Sequence, residues 1–281
     1  MPGPDVPSDM DSQSAGLFDA HSVTRRLHAD PTFAVGGLRA LLLQALHPLA
    51  MAAVEQNGGF EADLWGRLTR TSEYLTTVTY GSQAEALRAS ARVRGIHRKL
   101  RGTDPATGLE FRLDRPDLLL WVHCCEVDSL LSAARRGGLP LTDDDADSYL
   151  VEQVRSAELV GLPASAVPAT RADLAQYFVD VRPALRMTPG ARRGARVVLA
   201  PPMPGWVRLL TPARPAWGGL AALSVALLPA WARRMYRLPG LTVTDLAATG
   251  TLRALRVAAL AVPERLREGP NLRAARARVS A

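Results

Sequence analysis

Three of the five histidines, His47, His97 and His123, fall in segments whose apolar spacing predicts helix. A buried imidazole must satisfy both ring nitrogens or hold a metal, because an unpaired polar ring in a core costs on the order of 1–3 kcal/mol. Each histidine taken alone reads first as a hydrogen-bonded core residue and only second as a ligand. Arg67, Arg70 and Thr71 stand at i, i+3 and i+4, so two guanidinium groups and a hydroxyl share one helical face. Such a face could bind an anion or polarise a bound oxygen species through fixed bidentate donors, or could simply face water. Arg94, His97 and Arg101 fall on one side of the next predicted helix. A neutral imidazole there could ligate iron through one nitrogen while the other donates a hydrogen bond. The His-x-x-x-His spacing of zinc helices is absent, but a haem needs one histidine only.

Two other constellations have structural explanations. Asp143, Asp144, Asp145 and Asp147 fit the Asp-Asp-x-x-Asp pattern of magnesium-diphosphate sites. No second acidic motif accompanies them, and Thr142 with Asp145 reads as a capping box at a helix N-terminus. Cys124 and Cys125 are adjacent in a predicted helix, so their side chains diverge and cannot bridge. They read as buried, inert thiols.

The elements that must position these residues are helical, and no set of alternating Val, Ile and Thr runs recurs at sheet spacing. A first, almost wholly apolar helix is expected over residues 36–56, with a second over 65–80. A third, opened by Ser82 and Glu85 as a capping box, is expected to run to Arg101 and stop at Gly102. A loop over 102–116 follows, with a short hairpin around 107–111. Pro116 opens a fourth helix ending near Gly137-Gly138; Thr142 caps a fifth, and Thr170 a sixth continuing to about Met187. Prolines then recur and break the apolar C-terminal region into short pieces. The fold class is all-α: a single large helical domain over 16–281 with an irregular, Pro-rich C-terminal region, preceded by a disordered lead-in over 1–15.

With 281 residues, 47% hydrophobic and 22% charged, the chain resembles soluble globular proteins. Its net charge of +7 comes almost entirely from arginines spread along every predicted helix, Lys99 being the single lysine. Nucleic-acid binding is not expected, since clustered basic residues interleaved with aromatics are missing. Arg192, Arg193, Arg196, Arg273, Arg276 and Arg278 flank apolar stretches, a pattern compatible with peripheral membrane contact. The uncharged span 215–232 contains Gly218, Gly219 and Pro229 and is expected to pack inside the domain or rest in an interface. The paired cysteines without a disulfide framework suit a reducing, cytoplasmic setting.

Four segments carry a family resemblance. In order they are Gly36-Gly37-Leu38-Arg39-Ala40-Leu41-Leu42-Leu43-Gln44-Ala45-Leu46-His47-Pro48, Arg67-Leu68-Thr69-Arg70-Thr71, Val93-Arg94-Gly95-Ile96-His97 and Trp121-Val122-His123. Over about residues 30–187 the chain resembles the mpaB and rubber-oxygenase catalytic-domain family. Its latex-clearing members bind b-type haem and cleave carbon–carbon double bonds with dioxygen; fungal mpaB relatives oxidatively cleave a prenyl side chain. The resemblance implies haem b held by iron ligation at His97, with Arg67 and Thr71 as polar residues of the pocket. Arg70 stands where rubber oxygenases carry a distal lysine, and Arg stays protonated and cannot coordinate iron. The distal position is then open to water or to His47 or His123, while Arg94 and Arg101 flank His97 to receive propionates. A small hydrophobic substrate and dioxygen are the partners implied. A haem-binding or sensing protein without turnover, and a helical lipid-binding protein without haem, are the competing readings.

Overall fold

A computed structural model describes residues 16–59, 63–238, 242–269, 272, 273 and 277, and within them the fold is helical apart from one small hairpin. The expected lead-in over 1–15, like Arg276 and Arg278, lies outside the described residues. The helices are α1 (Val23–His28), α2 (Phe33–Gln44), α3 (Pro48–Gln56), α4 (Leu64–Tyr80), α5 (Gln83–Lys99), α6 (Pro116–Arg136), α7 (Asp143–Val160), α8 (Arg171–Asp180), α9 (Pro189–Leu199), α10 (Gly205–Leu210), α11 (Ala213–Ala226), α12 (Ala230–Met235), α13 (Thr242–Ala261) and α14 (Glu264–Arg267). Strands β1 (Arg101–Thr103) and β2 (Glu110–Arg112) pair antiparallel between α5 and α6, with Gly102 opposite Phe111.

At the centre α2 crosses α6. Gly36 makes the close approach, for a Cβ there would lie 3.0 Å from Leu130 Cδ2 and 3.1 Å from the Ser129 carbonyl oxygen. Leu42, Leu43, Leu46, Trp121, Leu130 and Tyr149 fill the core around this crossing. Arg39 reaches through it, donating to Ser129 Oγ at 2.6 Å and to the Leu227 carbonyl at 2.8 Å, and pairing with Asp128 at 2.7 Å. The carbonyls at the C-terminal end of α2, which have no partner within the helix, accept from other elements. Trp121 Nε1 donates to Gln44, Tyr236 Oη to Leu42 and the Arg186 amide to Leu46.

The apolar run expected as one helix over 36–56 is two helices bent by 101°. Pro48 has no N–H to continue α2, and as the first residue of α3 its fixed φ suits a new start. The third expected helix stops at Lys99, and Arg101 lies in β1. The pairing runs from Arg101 opposite Arg112, so Thr107 sits in the turn. The helix from Thr170 ends at Asp180, because Pro183 forces a 3-10 turn over Arg182–Ala184. Both capping boxes form, at Ser82 with Glu85 and at Thr142 with Asp145. Asp143 and Asp147 pair with Arg171, which accounts for the acidic run.

The Pro-rich C-terminal region folds onto this centre. Helix α11 packs against α2, with Ser224 Oγ donating to the Val35 carbonyl, and α13 closes over Leu223, Leu227 and Ala133. The uncharged span 215–232 is broken between α11 and α12, with Pro229 at the N-cap of α12. No single helix among the described residues is long and apolar enough to cross a membrane; the bent α2–α3 pair passes by composition, yet α2 is mostly buried in the core.

Candidate active site

Helices α4 and α5 form a tight hairpin, joined through Gly81 and Ser82. Its register is fixed by Tyr74 Oη, 3.2 Å from Ser90 Oγ. From that pair, Thr71 and Arg67 lie three and seven residues back on the same face of α4, while Arg94 and His97 lie four and seven residues onward on α5. Antiparallel packing therefore brings Arg67 and Thr71 to the His97 end of the hairpin. The β-hairpin clamps that end. Gln56 Nε2 donates to the Thr103 carbonyl at 2.8 Å, its Oε1 accepts from the Thr103 amide at 2.6 Å, and Phe111 packs with Ala52, Ala53 and Leu118.

His97 is half-buried, and its Nδ1 is a buried ring nitrogen with no hydrogen-bond partner. Burial holds its pKa below the usual range, with Asp114 opposing, so the imidazole is neutral and able to ligate a metal. Arg67 is half-buried and loses solvation, an environment that favours an anionic partner. Arg70 does not join it, because it is exposed and paired with Asp63 at 2.8 Å. Thr71 is exposed beside them.

The expected flanking cations are otherwise engaged. Arg94 donates to the Leu159 carbonyl at the end of α7. Arg101 is off the helix, donates to the Arg98 and Leu100 carbonyls and lies 3.7 Å from Glu110. His47 caps α3, its Nδ1 accepting from the Ala50 amide at 3.4 Å, with its ring 6.0 Å from that of Trp121. Its position follows from the break at Pro48. Cys124 and Cys125 are buried free thiols, both pushed up by burial.

His123 on α6 is half-buried within the surrounding helices, and loss of solvation pushes its pKa down to about 4. One turn later stands Glu126, half-buried and pushed up to about 7 by burial. Around it lie Tyr74 of α4 and Tyr149 of α7, both of whose hydroxyls it holds in the neutral form alongside burial. Tyr149 Oη meets His28 Nε2 at 3.2 Å, and His28 Nδ1 meets Thr79 Oγ1 at 2.8 Å. Burial pushes His28 down to about 3. The residues that sequence reasoning missed are Glu126, Tyr74, Tyr149 and His28. A signal for Glu126 was present, an acid three residues after His123 inside the apolar run 118–131. Nothing in the spacing marks His28 or Tyr149, which come together only through the packing of α1 on α7.

A neutral imidazole with an orphaned ring nitrogen on α5 and a desolvated guanidinium at the same end of α4 are donor types that suit a haem. Among the described residues no cluster of three or more His, Cys, Asp or Glu could hold a bare metal ion.

A family model described as the ER-bound oxygenase mpaB/B'/rubber oxygenase catalytic domain matches residues 25–262. No functionally curated protein matches the sequence. Among solved structures, that of a latex clearing protein LCP in the closed state superposes with a TM-score of 0.58 at 20% identity, over 99% of this chain and 76% of that one. At this identity the likeness is one of fold.

Proposed function

Because the chain belongs to the mpaB and rubber-oxygenase catalytic-domain family, we propose that it is a haem b-dependent oxygenase acting with dioxygen on a hydrophobic substrate. The observation that carries the cofactor is the buried, partnerless Nδ1 of His97. An unpaired ring nitrogen costs on the order of 1–3 kcal/mol, so the position asks for a partner that the polypeptide does not supply. The chain has no Cys-x-x-Cys-His attachment sequence, so the haem would be held noncovalently.

In this reading His97 would hold the iron and Arg67 would offer its donors to an anionic group of the cofactor. When bound, the haem supplies the centre at which dioxygen is taken up and activated. Neutral His123 would offer a hydrogen bond nearby, and the apolar helices would exclude water and receive an apolar substrate. Arg70, protonated and tied to Asp63, is not an iron ligand.

The test is the absorption spectrum of the full chain expressed with a haem precursor. A Soret band is expected, with haem extractable into acidic organic solvent. His97→Ala should largely abolish it, whereas His123→Ala should weaken binding by about 10- to 100-fold. No Soret band after attempted reconstitution removes the cofactor; unchanged haem in His97→Ala with loss in His123→Ala moves the ligand to α6. Oxygen consumption with candidate substrates then separates an oxygenase from a haem protein without turnover.

A further inference from the structure

Helix α10 is held at both ends. Before it, the Pro202 carbonyl accepts from Trp65 Nε1 of α4 at 2.8 Å. After it, Trp217 of α11 meets Trp65 edge to face, ring centroids 5.1 Å apart, and its Nε1 donates to the Val198 carbonyl of α9 at 2.9 Å. Thr211 Oγ1 closes the turn between α10 and α11, donating to the Val207 carbonyl at 2.6 Å and accepting from the Ala213 amide at 3.3 Å. On this footing Trp206, Leu209 and Leu210 are 65%, 78% and 80% exposed. Their i, i+3, i+4 spacing puts them on one face. They form a group of large apolar side chains, unlike the scattered single ones that need no explanation.

The charge around this face has one sign. Between Asp180 and Asp245 the sequence has no Asp or Glu, and arginine is its only charged residue. Arg196 lies two residues before Val198, and Arg214 three before Trp217, so the hydrogen bond joining Val198 and Trp217 brings both arginines to the end of the fold that carries α10. Arg192 stands one turn before Arg196 on α9, and Arg208 lies in α10 itself. All four are exposed, and among the described residues their side chains have no ion-pair or hydrogen-bond partner. The carboxylates of the neighbouring α3 and the start of α4 are engaged, Glu55 with Arg193 and Asp63 with Arg70.

We propose that α10 docks the protein on an anionic lipid bilayer. Trp206, Leu209 and Leu210 enter the boundary between headgroups and acyl chains, and the arginines meet the acidic headgroups. Apolar burial together with that attraction gives such binding its strength. Tryptophan suits the boundary, since its ring is apolar and its N–H can reach water or a headgroup oxygen. A second copy of this chain fits less well, because a symmetric contact through this face sets arginines against arginines. Trp65, which supports α10, stands two residues before Arg67, so docking brings the Arg67 end of α4 toward the bilayer, where apolar molecules collect. The lipid contact itself does not depend on the haem reading.

Cosedimentation of the full chain with vesicles tests it. Wild type should bind vesicles of phosphatidylcholine with phosphatidylserine, and bind phosphatidylcholine alone far more weakly. Leu209→Gln/Leu210→Gln should weaken binding about tenfold or more, and Arg192→Gln/Arg196→Gln/Arg214→Gln about fivefold for each arginine. All these side chains are exposed, so thermal unfolding should be unchanged. At saturating lipid, brominated acyl chains should quench the wild-type tryptophan fluorescence, and Trp206→Phe should lose most of that quenching. A wild type that does not sediment overturns the proposal, as does full quenching in Trp206→Phe. Sedimentation unchanged in Leu209→Gln/Leu210→Gln overturns it too, since adsorption through Arg273, Arg276 and Arg278 would give that result. A wild-type oligomer that the same double substitution separates into monomers assigns the face to a second copy and overturns it likewise.

Discussion

Replacing Glu126 with Gln should steepen the loss of stability on acidification by about 1.4 kcal/mol per pH unit between pH 4.5 and 6.5. Buried histidines set the wild-type slope, His28 and His123 most strongly, with His47 and His97 shifted in the same direction, and Glu126 opposes them. His28 and His123 have folded pKa values of about 3 and about 4, both depressed by burial. Each is neutral when folded and takes up a proton when unfolded below about pH 6.5, so its contribution is present above that pH and lost as pH falls toward the folded value. Glu126 has the opposite sign. Its folded value of about 7 lies above the ordinary 4.5, so between those limits the folded state holds a proton that the unfolded state releases. Its contribution is present below pH 4.5 and lost as pH rises through 7. Across pH 4.5–6.5 the unfolded chain therefore binds more protons on the histidines and one fewer on the glutamate. Removing the glutamate's opposing proton steepens the slope by about 1.4 kcal/mol per pH unit, whatever the histidines contribute. At pH 8 the variant should also be the more stable, by up to about 3 kcal/mol, since Gln carries no charge to desolvate. Urea unfolding of both proteins at half-unit pH steps gives the slopes, and exposed carboxylates cancel between them. Equal slopes, or a variant no more stable at pH 8 than at pH 5 relative to wild type, would refute the reasoning.

Two further outcomes test the frame and the pocket. Gly36→Ala should cost about 1–3 kcal/mol, because its Cβ meets Leu130 and the Ser129 carbonyl, whereas Gly37→Ala has nothing within 4 Å and should gain up to about 1 kcal/mol. Denaturant midpoints of the two variants decide it, and equal costs would mean that the α2–α6 crossing is looser than described. Haem titration of Arg67→Ala and Arg70→Ala should show weakened binding only in the first, since Arg70 is exposed and paired at the surface; the reverse order would place the pocket on the other side of α4.

Much of this was legible in the chain because the signals were local. Ser82 with Glu85, Thr142 with Asp145, Pro116 at a helix start and the break at Gly137-Gly138 are read within one turn of sequence, and the structure places them accordingly. The failures share a cause. Reading 36–56 as one helix followed its apolar periodicity and passed over Pro48, and with it the conversion of His47 from a pocket residue into the cap of α3. Carrying α5 on to Arg101 placed that guanidinium beside His97, where β1 and its pairing with β2 remove it. Sharing a helical face also proved a weak guide to convergence. Arg67 and Arg70 lie one turn apart, yet one loses solvation at the hairpin while the other reaches back to Asp63. The family model matches residues 25–262, beyond residue 187 where the motif resemblance ended, and α11 and α13 complete the core there without any motif of their own.

The placement of His123 and Glu126 depends on that core through α6. One face of this helix is committed to the crossing with α2, where Ser129 and Leu130 meet Gly36 and Asp128 holds Arg39. Another carries Leu119, His123 and Glu126 at i, i+4 and i+7, the spacing of a single stripe. Rotation of α6 to solvate His123 and Glu126 would pull Ser129 and Asp128 from a cation whose side chain is 4% exposed. Arg39 would be left buried without those acceptors, a cost that Asp128, 30% exposed, only partly shares, and the packing of Leu130 against Gly36 would be lost with it. The crossing therefore holds His123 and Glu126 on the half-buried side of α6.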